Sequence, residues 1–218
     1  VQVLKKTTES KFINKTTLFE FKYLGLVGYA EAYQIQLKAL EQAVTNTKYT
    51  VFGLEHESVL TLGHRASADL EIFNTNAIKV EKVSRGGLAT IHSEGQLVIY
   101  PIMNIRELKL GARNYIKLLL ETTQNVLLDI GIESFSDKEA IGLYTSKGKI
   151  AFCGVQITKG CTLHGISLNV HNDLDLFQNI RSCGVILPNL DKVSFYNDQI
   201  NTPTLFEKWS EEFLKNLN

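Results

Sequence analysis

The sequence predicts an α+β protein, a mixed β-sheet covered by helices. Strand-like runs outnumber helical ones, the helices do not alternate regularly with them, and no internal repeat or low-complexity segment interrupts the pattern. The 218 residues are 44% hydrophobic and 21% charged, an ordinary globular composition. A chain of this length is expected to bury roughly 70% of its unfolded surface. No Pro/Gly/Ser-rich linker or abrupt compositional shift divides it, so one domain over residues 1–218 is expected.

The elements follow in order. Thr17, Phe19 and Phe21 share one face of an edge strand that ends near Leu26. Ala30, Tyr33, Leu37, Leu40 and Val44 recur at helical spacing, with Glu31, Gln34, Lys38 and Glu41 opposite, so an amphipathic helix covers the sheet. Thr50–Glu55 and Val59–Leu62 are rich in β-branched and aromatic residues and read as strands, followed by a loop over 63–67. Ile78, Val80 and Val83 alternate with charged residues and lead into Ser84-Arg85-Gly86-Gly87. The strand Gln96–Tyr100 is expected to close at Pro101. A second helix carries Ile116, Leu119, Leu120, Thr123, Leu127 and Ile130, with Gly131 placed to end it. The segments 143–145 and 150–152 flank Ser146-Lys147-Gly148-Lys149, which predicts a hairpin with Lys149 at the base of the returning strand. Thr162–Val170 is another strand. The last helix begins with either Thr202 as N-cap and Pro203 behind it or a Thr204–Glu207 capping box, and buries Leu205, Trp209 and Phe213.

Charge and cysteine content narrow the function. The 23 basic and 23 acidic residues cancel, so the composition carries no footprint for nucleic acid or a membrane surface. No apolar run is long enough to span a bilayer, and the first residues lack a secretory apolar region. Three cysteines without a C-x-x-C spacing argue against a disulfide framework or structural zinc, and point to the reducing cytoplasm.

The chemistry lies between Gly148 and Gly184. A cysteine attacks acyl groups as thiolate, and its reference pKa near 8.5 leaves little thiolate at neutral pH. A neighbouring ammonium lowers that value. Lys149 can do this for Cys183 and then shuttle protons, a pair suited to acyl transfer through a covalent thioester. Taken singly, Lys149 after a turn also fits a solvated lysine, and Cys183 a buried small hydrophobe. Cys153 and Cys161 fit the second description better. Gly86-Gly87 after a strand allow backbone to approach a ligand, with Arg85 beside them to hold an anion, or form a plain glycine turn. His92 and His164 lack metal-ligand spacing and suit orientation of backbone or substrate by hydrogen bonds.

Four segments in order, S-R-G-G-L-A-T-I-H-S-E-G-Q-L-V-I-Y-P, G-K-I-A-F-C-G-V, T-L-H-G-I-S-L-N-V and S-C-G, resemble the octanoyltransferases of lipoate biosynthesis. The resemblance runs from about Glu55 to Ser194. It implies a biotin/lipoate protein ligase-like fold, a mixed sheet with helices. It further implies transfer of octanoyl from acyl carrier protein to a lysine of lipoyl domains of 2-oxoacid dehydrogenases or of glycine-cleavage H protein. Carried over by motif, Cys183 holds the acyl group and Lys149 tunes and shuttles protons. Arg85, Gly86, Gly87, Leu88, Ala89, Thr90, Ile91 and His92 line the acyl and pantetheine pocket. Phe152, Cys153, Gly154, Gly165, Ile166 and Ser167 supply small walls around it. No cofactor or metal is implied, and a monomer is expected.

The chain departs from the family pattern at Ser93-Glu94, where Gly-Pro is usual, at Ser182 before the cysteine, where proline is usual, and at Ser167, where alanine is usual. The first change alters a loop and adds a carboxylate near the entrance. Three alternatives stand beside octanoyl transfer from a carrier protein: an ATP-dependent lipoate or biotin ligase, an amidotransferase between protein domains, and a non-catalytic carrier-binding domain. The ligase needs no thiol, so the cysteine of S-C-G argues against it.

Overall fold

The computed structural model describes residues 18–45, 48–73, 78–137, 141–182, 185–186 and 189–217. Strands β1 (Phe19–Val27), β2 (Tyr49–His56), β3 (Val59–Leu62), β4 (Lys79–Lys82), β5 (Ala89–His92), β6 (Gln96–Ile102), β7 (Phe135–Ser136), β8 (Gly142–Tyr144), β9 (Lys149–Thr158) and β10 (Cys161–Asn169) build two sheets. The larger has seven strands in the order β1-β2-β6-β10-β9-β8-β7, and the smaller has the order β4-β3-β5. β1 pairs parallel with β2 and the other pairs of the larger sheet are antiparallel, so the sheet is mixed, as expected. A short pair, β11 (Arg181–Ser182) with β12 (Val185–Ile186), stands apart.

Helices α1 (Tyr29–Val44), α2 (Ala68–Glu71), α3 (Ala112–Asp129) and α4 (Thr202–Leu217) complete the described fold. The pleat of β2 sorts them by face. Gly53 lies beneath the Phe206 ring of α4, where an added Cβ would come within 2.3 Å of it. His56 sits on the other face of the strand, by alternation, against Tyr29 of α1 at 5.2 Å between ring centres. α3 and α4 pack together on one side of the large sheet. α1 and the small sheet cover the other, and the space between the small sheet and β9–β10 becomes the cleft described below.

The main core spans both faces of the large sheet. Trp209 at its centre stacks on Phe213 at 4.8 Å and donates its ring N–H to the Thr123 hydroxyl at 2.9 Å. A second cluster of Leu60, Leu62, Ala89, Ile91, Phe152, Phe177 and Ile180 joins the small sheet to β9 and to the segment before β11.

Three local expectations change. The buried stripe of α1 is Tyr29, Ala32, Gln36, Ala39 and Ala43, about one position round from the predicted one, and Ala30 and Val44 are exposed. Small side chains at 32, 39 and 43 let the helix lie close to the sheet, and the larger Tyr33, Leu37 and Leu40 flank that contact. β6 continues through Pro101 to Ile102. The ladder to β10 has ended at Ile99–Ile166, and the Thr162 hydroxyl donates to the Pro101 carbonyl at 2.6 Å, so proline's missing N–H breaks no pairing there. Neither predicted cap starts α4. The Asn201 side chain accepts the Thr204 N–H at 3.0 Å, while the Thr202 hydroxyl turns to Glu55. The edge strand, the 145–148 hairpin and the Gly131 helix end are as expected, with Gly131 at φ +81°. Thr17 lies outside the described residues.

Gly53→Ala tests the packing of α4 on β2. The added methyl meets an aromatic ring at overlap distance, and an overpacking loss of about 1–3 kcal/mol is expected in urea unfolding. An unchanged midpoint would place Phe206 elsewhere.

Candidate active site

Lys149 is the first residue of β9 and is held by its backbone on a third side. Its N–H donates to the Asn189 carbonyl at 2.8 Å and its carbonyl accepts from the Asp191 N–H at 3.0 Å, so residues 189–191 run alongside the strand start. The side chain is only 3% exposed, which removes the solvated-lysine alternative. Its ammonium lies 4.9 Å from the centre of the Phe152 ring and 5.1 Å from that of Tyr144, and donates to the Ile141 carbonyl at 3.3 Å. Gly142 makes the room, since a Cβ there would stand 2.6 Å from Lys149 Cε.

Asp191 braces this corner. It is fully buried, accepts hydrogen bonds from the Thr145 hydroxyl and the Tyr196 hydroxyl, and receives the backbone N–H of Lys192. The turn that carries Lys149 and the 193–195 helical turn are thereby tied to one carboxylate.

A narrow cleft, open at its mouth, lies beside Lys149. Its walls bring together Arg85, Gly86, Gly87, Leu88, Ala89, Thr90 and His92 from one motif with Phe152, Cys153, Gly154, Gly165, Ile166 and Ser167 from two others. Ile91 is the exception. It alternates away from the cleft into the second core cluster with Leu60 and Leu62. Tyr29, Val98, Tyr100, Ile141 and His164 also line the space. Sequence reading did not single out Tyr29, Val98, Tyr100 or Ile141, because each sits in an apolar run that equally suits a core.

The glycines of the R-G-G segment serve a structural contact. The Gly86 N–H donates to the Val155 carbonyl at 2.9 Å, and a Cβ on Gly154 would stand 3.1 Å from the Gly86 carbonyl oxygen. Two backbones therefore cross closely, and a side chain on Gly154, though not one on Gly86, would crowd the crossing. Arg85 is 7% exposed and reaches back to clamp the loop. Its guanidinium donates to the Thr61 carbonyl at 2.8 Å, the Thr61 hydroxyl at 2.7 Å and the Gly86 carbonyl at 3.0 Å. Glu71 accepts the Ala89 N–H at 2.6 Å from the other side.

A polar cage closes one part of the cleft. The His56 Nδ1–H donates to the Val27 carbonyl at 2.8 Å and its Nε2 accepts from Tyr100 at 2.9 Å, and its ring lies 5.6 Å from that of His92. His92 bonds Gln96 at 2.6 Å, and Gln96 passes the connection to Asn169 at 2.9 Å. His164 stacks on Tyr33 at 5.7 Å and takes a left-handed φ of +59°, an uncommon conformation for a non-glycine residue inside a strand. Burial pushes His56 down to about 4, and His92 and His164 down to about 3, helped at His92 and His164 by the nearby positive charge of Arg85. All three are neutral imidazoles at neutral pH, in keeping with hydrogen-bonding roles. Among the described residues, no three of His, Cys, Asp and Glu gather as a metal site.

The altered Ser93-Glu94 loop is well held. The Gly95 N–H donates to Glu55 at 2.6 Å, the N–H groups of His171 and Asn172 donate to the Gly95 carbonyl at 2.8 and 3.2 Å, and Glu94 is exposed outside the cleft walls. Burial pushes the Cys153 thiol up to about 12 against the opposing Lys149 charge, and raises Cys161 as well. Both fit the inert-thiol expectation. Cys183 lies outside the described residues. β11, which precedes it in the chain, packs beside β5 and the 175–179 helical turn, and Phe177 of that turn stacks on Phe152 at 5.3 Å.

Residues 28–214 match the family described as "Lipoyl protein ligase A/B catalytic domain". An octanoyltransferase of Hahella chejuensis is 32% identical over 191 residues, 88% of this chain and 85% of that one. One of Pelobacter propionicus is 37% identical over 163 residues, 74% of this chain and 77% of that one. The fold is also that of a lipoate-protein ligase A crystallised with ATP, with a TM-score of 0.70 at 15% identity over 91% of this chain and 84% of the other. A biotin protein ligase from Aquifex aeolicus shares it at a TM-score of 0.52 and 14% identity, over 91% of this chain and 69% of the other. No helix among the described residues is long and apolar enough to cross a membrane.

The three neutral histidines predict an early acid loss of stability. Their folded pKa values lie below the unfolded value near 6.5, so the unfolded chain binds more protons between about 6.5 and 3. Their contribution is complete above about pH 6.5 and is lost as pH falls, each at up to about 1.4 kcal/mol per pH unit. Urea unfolding at pH 7.5 and 5.0 should show a clearly lower midpoint at 5.0. Equal midpoints would mean that these imidazoles are not buried neutral.

Proposed function

Because the chain belongs to the lipoyl protein ligase A/B catalytic-domain family, among its octanoyltransferases, we propose that it moves an octanoyl group from acyl carrier protein to a lysine through a thioester on Cys183. The acceptors in this reading are lipoyl domains of 2-oxoacid dehydrogenases and glycine-cleavage H protein, the compartment is the cytoplasm, and residues 1–218 act as one catalytic domain. The observation that carries it is the burial of Lys149 at the edge of a cleft walled by three of the four motif segments, its own among them.

The Cys183 thiolate attacks the carrier thioester carbonyl. The bond from carbonyl carbon to the carrier's sulfur breaks, and that sulfur leaves with a proton from Lys149. A neutral acceptor amine then attacks the Cys183 thioester, forming the amide and expelling the thiolate, and Lys149 takes the amine's proton. An ammonium wedged against two rings and one carbonyl stabilises a neighbouring thiolate strongly, because little water screens it there. The apolar walls from Leu88, Ala89, Val98, Phe152 and Ile166 suit an unbranched acyl chain. The ligase alternative draws support from the shared fold and from the family's description, which covers ligase A as well.

The deciding experiment is intact mass after incubation with octanoyl-carrier protein and no ATP. An octanoyl adduct on Cys183, discharged by an apo lipoyl domain, is expected. Activity confined to ATP plus free acid would overturn the proposal in favour of the ligase. Cys183→Ala should abolish turnover, and Lys149→Ala should cost at least roughly tenfold in rate and raise the pH at which iodoacetamide labels Cys183. Cys153→Ala should leave transfer largely intact, and loss there would identify the wrong thiol.

A further inference from the structure

Six lysines of the described surface, Lys22, Lys48, Lys79, Lys117, Lys208 and Lys215, are paired with carboxylates, whereas Lys38, Lys82, Lys109 and Lys159 enter neither an ion pair nor a contact with an aromatic ring. Two beside the Lys149 corner are not set that way. The Lys147 ammonium rests 3.8 Å from the centre of the Tyr196 ring, and that of Lys192 rests 5.1 Å from that of Phe195. Phe195 is 55% and Tyr196 40% exposed, large apolar area for a surface. A ring positions a cation without cancelling its charge, whereas a carboxylate cancels it.

The patch is also stiff and continuous with the site. Lys147 lies in the turn that ends at Lys149, and Lys192 follows Asp191, whose N–H is bonded to the Lys149 carbonyl. The Asp191 carboxylate holds Thr145, the Lys192 N–H and the Tyr196 hydroxyl together, and the Lys192 ammonium also donates to the Asn172 carbonyl at 3.2 Å. Acidic neighbours exist at Asp173 and Asp175, which face the 175–179 turn and hydrogen-bond within it.

We infer that Lys147, Lys192, Phe195 and Tyr196 form the docking surface for the acyl donor, an acidic carrier protein whose acyl thioester is tethered through a phosphodiester. This rests on the octanoyl-transfer reading. Of the two macromolecules that reaction brings to the cleft, the donor presents a phosphodiester beside its thioester, while the acceptor presents an amine that is positive until it reacts. Two uncancelled cations beside the site attract the first and repel the second. The two exposed rings supply the apolar anchor that such a contact needs at its centre.

The test compares octanoyl-carrier protein with octanoyl-pantetheine, which bears neither the phosphodiester nor the protein, at a fixed level of apo lipoyl domain. Lys147→Glu with Lys192→Glu should raise KM for the carrier-bound donor about tenfold or more with kcat nearly unchanged, and leave octanoyl-pantetheine kinetics as in the parent. Added salt should weaken the parent's use of the carrier donor and affect the double variant less. Phe195→Ala should move the same KM in the same direction. An equal rise for both donors, no rise for the carrier, or a rise confined to the lipoyl-domain KM would each overturn the assignment. Failure of the parent protein to use either donor would instead overturn the octanoyl-transfer reading beneath it.

Discussion

The cleft depends on the place where two backbones cross, Gly86 over Gly154. The hydrogen bond from Gly86 to the Val155 carbonyl fastens the small sheet onto the large one at one point. Phe152 stacked on Phe177 of the 175–179 turn joins the apolar cluster beneath the small sheet and ties them at a second. Between these points the facing surfaces stay apart and leave apolar walls unfilled. A side chain on Gly154 would press on the Gly86 carbonyl, and an arginine free to swing would leave the loop unsupported. Arg85 is therefore buried and bonded to Thr61, and its charge adds to burial, the larger cause, in keeping His92 and His164 unprotonated. One contact thus sets the spacing of the walls and the electrostatics of their polar end.

The opposite end obeys a different constraint. A lysine buried to 3% costs solvation, which the site recovers from two ring faces and one carbonyl. Holding such a group requires its backbone to be immobile, and the bonds to Asn189 and Asp191 supply that. The same carboxylate that anchors the lysine's turn anchors the exposed aromatic platform. Chemistry inside and contact outside share a support.

Much of this was legible in the chain. Lys149 at the base of a returning strand, the amphipathic helices and the strand succession all follow from periodicity and turn residues, which act over a few neighbours. Three of the four motifs located nearly every wall of the cleft. Errors arose where a local rule met a distant partner. Pro101 was expected to end β6, but the β10 ladder had already ended and Thr162 took its carbonyl. The α1 stripe shifted because alanines, weak in any hydrophobic count, permit the closest approach to a sheet. Thr202 was spent on Glu55, leaving the cap to Asn201.

Residue types and their spacing pointed to the fold class and to the chemistry on offer, a lysine and a cysteine suited to acyl transfer and a glycine pair, while motif resemblance pointed to the family and the small walls. Tertiary structure alone decided what each group is for. It bound Arg85, a wall of the cleft, to Thr61 and Gly86, and turned Ile91 away from the cleft while keeping its neighbours in it. It also recruited Tyr29, Tyr100 and Ile141 from unremarkable apolar runs into the site. The physical reason is range. Propensity and alternation are set by adjacent residues, whereas the burial and protonation of a side chain are set by atoms that the fold brings from far along the chain.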